Sequence, residues 1–153
     1  MAPRFLADCN VGRLARWLRA LGYDAVYHAQ IGDAELVREA AAEGRVVLTR
    51  DRDLTKRRVI TSGVVRAILI KDDDVRTQLR QVFSELSLDV RQSLTRCIEC
   101  NSELVPRQAD SVAERVPPFV RQTQTRYSEC TACGRIYWAG THWQRMQKVL
   151  AGL

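Results

Sequence analysis

Two Cys-x-x-Cys pairs, Cys97-Ile98-Glu99-Cys100 and Cys130-Thr131-Ala132-Cys133, constrain this chain more than any other feature of its sequence. Each pair sets two thiols on one tight turn, and two such turns can aim four sulfurs at a single tetrahedral ion. The 29 residues between the pairs exceed a minimal four-cysteine finger and suit two knuckles on a β-ribbon. Gly134, directly after Cys133, supplies the tolerance of positive φ that a knuckle turn needs. Zn2+ is the expected ion, because thiolates select it and a closed four-sulfur shell leaves no position open for chemistry. The site is therefore expected to be structural. Redox pairing fits less well, since a thioredoxin-like motif follows a strand in a different setting. Disulfides are disfavoured by the odd total of five cysteines and by a beginning without the apolar core of a signal peptide. Cys9, the fifth, is expected as a small buried residue near a strand end.

The rest of the chain is patterned differently. Up to Leu88, short apolar runs alternate with helical periodicity, the signature of βαβ units and a mostly parallel sheet. Strands are expected at Phe5-Leu6-Ala7, Ala25-Val26-Tyr27, Val46-Val47-Leu48 and Ala67-Ile68-Leu69-Ile70. A first helix carries Val11, Leu14, Ala15, Leu18 and Leu21 and stops at Gly22. A second is capped by Asp33, runs through Leu36, Val37 and Ala40, and stops at Gly44. Asp51 to Arg58 predicts one short helix. Asp72 to Asp74 open a longer one with an apolar face of Val75, Leu79, Val82, Phe83 and Leu86, and these acids complement its dipole.

After Leu88 the apolar runs shorten and prolines appear, which divides the chain into an α/β domain, 1–92, and a ribbon with a terminal helix, 93–153. Within the ribbon, Ile136-Tyr137-Trp138 suits a strand, and Met146, Val149 and Leu150 suit the last helix. Its aromatics are expected to cover the small metal core, with base stacking as the alternative. His142 is a candidate phosphate contact or fifth ligand.

With 46% hydrophobic and 27% charged residues the chain can bury a core, which excludes wholesale disorder. No stretch approaches the roughly 18 apolar residues of a membrane span, so no membrane partner is expected and the cytoplasm is the default location. The net charge of +6 comes almost entirely from arginine, whose planar fork suits phosphate recognition. Arg13, Arg16, Arg50, Arg57 and Arg58 are the candidates for contact with a nucleic-acid backbone, although Arg13 and Arg16 also suit the solvated face of the first helix.

Four carboxylates occupy positions that matter if the sheet is parallel. Asp8 follows the first strand, Asp33 begins the second helix, and Asp51 and Asp53 follow the third strand. Ligand sites in such folds collect beyond the carboxyl ends of the strands, where these acids would converge. Crowded carboxylates repel unless a divalent cation neutralises them, so Mg2+ or Mn2+ is expected, with water activation for attack on a phosphodiester as the chemistry. The plainer reading is that each acid caps the helix it precedes.

The motifs together have a relative. Phe5-Leu6-Ala7-Asp8, Gly12-Arg13-Leu14-Ala15-Arg16-Trp17-Leu18-Arg19, Leu21-Gly22-Tyr23-Asp24, Leu48-Thr49-Arg50-Asp51, Arg96-Cys97, Cys100-Asn101, Val116-Pro117-Pro118 and Tyr137-Trp138-x-Gly140-Thr141-His142-Trp143 resemble the Mut-seven C-terminal RNase family. The resemblance covers nearly the whole chain. It implies a PIN-like α/β/α fold followed by a zinc ribbon, and metal-dependent endoribonuclease activity on RNA that leaves a 5′-phosphate and a 3′-hydroxyl. By position, Asp8 resembles the family's first-strand acid, Asp51 the acid after the third strand and Asp53 its neighbour. Relatives often open the second helix with consecutive acids; here Gly32-Asp33-Ala34-Glu35 makes Asp33 the expected ligand, as the capping residue, and Glu35 the alternative. Cys9-Asn10 also departs from the apolar residue expected after Asp8, which makes Asn10 a candidate helix cap. Two other classes remain open: a catalytically weak module binding RNA, the ribosome or tRNA, and a toxin-type nuclease held by a protein inhibitor.

Overall fold

The computed structural model describes residues 2–89 and 94–153, and nothing of the His142 side chain. The expected boundary at 92 and 93 lies outside the described residues. The first half runs β1 (Phe5–Ala7), a 3₁₀ turn (Cys9–Val11), α1 (Gly12–Ala20), β2 (Ala25–Tyr27), α2 (Asp33–Glu43), β3 (Val46–Thr49), α3 (Arg52–Thr55), α4 (Arg58–Thr61), β4 (Ala67–Leu69) and α5 (Val75–Leu86). Its four strands are parallel, in the order β2-β1-β3-β4.

Strand alternation distributes the apolar side chains to two faces. Phe5, Ala7, Leu48 and Ile68 pack with Leu14 and Leu18 of α1 and Leu79 and Val82 of α5. Leu6 and Val47 pack on the other face with Leu36, Val37 and Ala40 of α2 and with Leu54. A parallel sheet is stable only when both faces are covered, which is why β1 reads as an unbroken apolar run and is wholly buried. Helix boundaries follow local chemistry. Gly44 closes α2 in the left-handed region at φ 64, and Asp74 accepts from the Thr77 N–H to open α5.

The second half carries β5 (Val105–Arg107), α6 (Ala109–Val112), a 3₁₀ turn (Ala113–Arg115), α7 (Pro118–Thr123), β6 (Tyr127–Glu129), β7 (Ile136–Tyr137) and α8 (Thr141–Ala151). The strands form an antiparallel sheet in the order β5-β6-β7. The long spacing between the cysteine pairs thus holds two strands and three short helical segments around a satellite core of Val112, Val116, Val120 and Tyr127. Those helices were not expected, because each is too short to show periodicity.

The two halves are packed together. Trp143 and Met146 of α8 lie against Ala20 and Trp17 of α1, and Leu150 enters the core of the parallel sheet. Arg19, buried, donates from Nε to the Ala25 carbonyl and from Nη1 to the Ile98 carbonyl at 2.7 and 2.8 Å. The first cysteine turn therefore sits on the edge of the sheet beside β2. Among the described residues no helix is long and apolar enough to cross a membrane.

Several local expectations are corrected. Cys9 is exposed, because it opens the 3₁₀ turn beyond the strand end rather than continuing β1. Asp51 to Arg58 is not one helix: extended backbone at Arg57 separates α3 from α4. Asp33 is the first residue of α2 and makes no capping bond, the cap being Gly32. Asn10 does not cap α1 either; its Oδ1 accepts from the Arg50 N–H at 3.2 Å and so joins the loops after β1 and β3.

Candidate functional site

The cysteine centre forms from two turns of matching design. In each, the residue after the second cysteine has positive φ, Asn101 at 66 and Gly134 at 79, and its N–H returns to the carbonyl of the first cysteine at 2.9 and 2.7 Å. The Cys100 N–H also points at the Cys97 sulfur, 3.3 Å away. All four sulfurs lie within 4.8 Å of one another, with Cys97 and Cys130 buried and Cys100 and Cys133 exposed. A tetrahedron with metal–sulfur bonds of about 2.3 Å requires sulfurs about 3.8 Å apart. Cys97 and Cys133 stand at 3.8 Å. The four cysteines are therefore positioned to bind one metal ion, as structural zinc would require. Hydrogen bonding from the Arg135 backbone lowers the Cys133 thiol to about 6, while its hydrogen bond with Cys133 pushes Cys100 up to about 12. Binding a cation releases the protons that remain.

One partner of this centre was expected among the ribbon aromatics, and the role of a second, Asn101, was not. The Tyr137 hydroxyl lies 3.1 Å from the Cys97 sulfur and accepts from the Ile98 N–H, so this aromatic covers the metal core. Asn101 accepts from the Ala25 N–H at 2.9 Å and donates to Asp24 at 2.7 Å, which fastens the knuckle to the sheet edge. Its place after a Cys-x-x-Cys pair, equivalent to Gly134, was the available signal.

The carboxyl edge of the parallel sheet holds the acids. Asp8 is 4% exposed at the end of β1, the strand beside β3. Its Oδ2 accepts from the Thr49 hydroxyl at 2.7 Å, and that same hydroxyl accepts from the Asp51 N–H at 3.0 Å. One buried threonine thus ties the two strand-end acids together. Asp8 also accepts from the Cys9 N–H, and Asp51 caps α3 through the Asp53 N–H. The capping reading holds for these two, and it leaves further lone pairs on each carboxylate. The carboxylate of Asp33, half-buried at the start of α2, has no hydrogen-bond partner among the described residues. Partial desolvation, the Asp8 carboxylate and, more weakly, Asp33 push the Cys9 thiol up, so both acids act on the same short segment. Asp53 lies within α3 rather than before it and is exposed, 3.4 Å from the Lys56 ammonium. Glu35 is exposed one residue further along α2 than Ala34. Among the described residues the acids do not form a set of three donors close enough for one ion, as the cysteines do.

The arginines divide. Arg13 and Arg16 line a cavity of about 460 Å³ with Gly12, Arg19, Tyr27 and Glu99. Arg50 lines a second, of about 240 Å³, with Arg52, Leu69, Ile70 and Lys71. Arg57 and Arg58 are exposed and line neither. A third cavity, about 640 Å³, is apolar and lies in the ribbon among Phe119, Tyr137, Trp138 and Trp143, with no acid in its wall. The side chain of His142 is outside the described residues.

The family model described as the Mut7-C RNAse domain matches residues 3–150. No curated protein and no solved structure matches the chain.

Proposed function

Because the chain belongs to the Mut7-C RNAse domain family, a ribonuclease family, we propose that it is a PIN-like, metal-dependent endoribonuclease acting at the carboxyl edge of its parallel sheet. The observation that carries the reading is the Asp8–Thr49–Asp51 linkage at the ends of two adjacent central strands. A buried carboxylate held by a hydroxyl and a backbone N–H keeps its orientation, and a ligand or base at a reacting phosphate needs that orientation.

The donor set suits Mg2+ or Mn2+, being all oxygen with no thiol or imidazole assigned to it. Mg2+ keeps several waters and takes few protein carboxylates together with substrate phosphates, so acids that stand apart in the free protein fit it better than a closed cage would. When bound, the ion activates water and neutralises charge developing on the phosphate. Asp8 and Asp51 are the central ligands in this reading, Asp33 reaches the same edge from α2, and Asp53 lies at the rim. Arg13, Arg16, Arg50, Arg57 and Arg58 contact the RNA backbone, and hydrolysis leaves a 5′-phosphate and a 3′-hydroxyl. The four cysteines hold structural Zn2+ and take no part in the chemistry.

The test is Mn2+-supported cleavage of labelled single-stranded and structured RNAs by wild type, Asp8→Asn and Asp51→Asn. Asparagine keeps an acceptor and can still cap, so loss of folding is not the expected effect. Cleavage by wild type that both variants lose supports the reading. RNA bound but cut by none of the three overturns it in favour of a binding module.

A further inference from the structure

The two basic cavities flank the acids, and their order is fixed by the sheet. Tyr27 ends β2, Asp8 follows β1, Asp51 follows β3, and Leu69 ends β4. With the strands in the order β2-β1-β3-β4, the Tyr27 end of the first cavity, the acids, and the cavity containing Leu69 succeed one another along the carboxyl edge, and the first cavity continues from there along α1 to Arg19 and the first cysteine turn. At about 4.8 Å per strand, that edge spans about 14 Å. Positive, negative, positive is the pattern that a strand of phosphates with one cation-bridged phosphate at its centre would match.

We propose that the RNA strand crosses this edge with one backbone phosphate in each basic cavity and the scissile bond between them. The proposal rests on the nuclease reading for the identity of the strand, and it adds Arg52, Lys71 and Tyr27 to the residues that meet it, with Glu99 as the competitor for Arg16.

The cavities are chemically prepared for phosphate. Among the described residues, the side chains of Arg13, Arg50, Arg52 and Lys71 make no ion pair and no hydrogen bond, so their donors are free for a ligand. Arg16 differs, because its Nη1 lies 2.6 Å from Glu99 Oε1 while half of its side chain stays exposed. Glu99 belongs to the first cysteine turn, so the metal centre supplies one wall of the cavity and a carboxylate that competes with phosphate for Arg16. Gly12 keeps that cavity in shape, since a Cβ there would meet the Tyr27 ring at 2.9 Å.

Binding is measured on the full, zinc-loaded chain in the Asp8→Asn background without Mn2+, by fluorescence anisotropy of a labelled mixed-sequence single-stranded oligoribonucleotide over a range of salt. Arg16→Ala and Lys71→Ala, one from each cavity, are each expected to weaken binding several-fold and to reduce the slope of log affinity against log salt by about 0.7, the value of one phosphate contact on a single strand. Glu99→Gln is expected to tighten binding by freeing Arg16, a gain that damaged folding cannot imitate. Arg38→Ala, on α2 away from both cavities, is the control. If either Arg16→Ala or Lys71→Ala binds with wild-type affinity and slope, the two-sided crossing is overturned. Cleavage is read separately, so a protein that fails to cut RNA yet shows these binding changes refutes the nuclease reading and leaves the track standing.

Discussion

The cysteine centre and the acidic edge both carry anionic side chains, and they are built in opposite ways. The four sulfurs come from two short turns and already stand within 4.8 Å of one another. The carboxylates come from the ends of separate strands and a helix, and hydrogen bonds from Thr49, Cys9 and Asp53 hold them in place without closing them into a set. A structural ion needs a complete shell from the protein, whereas a catalytic ion needs positions left for water and substrate. Completeness of the donor set, rather than the number of anions, separates the two sites.

The largest effect should come from opening the closed shell. Cys97→Ser or Cys130→Ser should release the ion and unfold the C-terminal third, because binding free energies of about 10–16 kcal/mol in zinc-finger peptides are folding free energy there. Metal content and limited proteolysis of the purified variants check this. One full equivalent of zinc retained by Cys97→Ser would count against the four-sulfur site. The open site should respond differently to loss of its support. Thr49→Val leaves Asp8 without its hydroxyl donor and removes the acceptor of the Asp51 N–H. The expected cost is about 1–3 kcal/mol of stability and about 10–100-fold in cleavage. Denaturant melts and single-turnover rates measure both, and a variant as active as wild type would show that the linkage does not orient the acids.

That comparison also explains what the sequence made legible. Knuckle residues are local, so Cys97, Cys100, Cys130, Cys133 and Gly134 could be picked out by spacing alone. The strands of the parallel sheet were legible because runs such as Phe5-Leu6-Ala7 are buried on both faces, and helices α1, α2 and α5 because their apolar periodicity is long. Thr49 was hidden because a threonine in a strand is ordinarily there for its β-propensity. Its role exists only once β1 and β3 are neighbours. Asn101 was hidden for the same reason, since its contacts with Ala25 and Asp24 cross more than seventy residues of chain. Asp33 was placed as a cap because aspartate favours that position, yet Gly32 holds it, with extended backbone at φ −76 and ψ 153. Residues that act through distant partners carry no periodicity to betray them.

Asn101 joins the two regions, and removing its side chain should cost stability without release of the ion. Asn101→Gly keeps the left-handed backbone but removes the bonds to Ala25 and Asp24, for an expected loss of about 1–2 kcal/mol with the ion retained. Asn101→Ala should lose about 1 kcal/mol more, from the Cβ at positive φ. Chemical denaturation of the two variants side by side separates backbone strain from docking.

The smallest effect concerns acid. Burial opposes ionisation of Asp24, but hydrogen bonds from Arg45 and Asn101 together with the Arg45 charge hold its carboxyl below the ordinary aspartate value. A carboxyl whose value is lowered on folding contributes stability that is fully present above its unfolded value, about 3.9, and is lost as pH falls through the folded one. Stability should therefore fall on acidification below about pH 4 with a contribution from Asp24, while the ribbon stays anchored at neutral pH. Asp24→Asn should be less stable than wild type at pH 7, through the lost charge beside the buried Arg45 guanidinium, and should show a shallower acid limb. Denaturation midpoints from about pH 5 to pH 2 measure the slope directly. Parallel curves for the two proteins would mean that Arg45 and Asn101 do not select the ionised carboxylate.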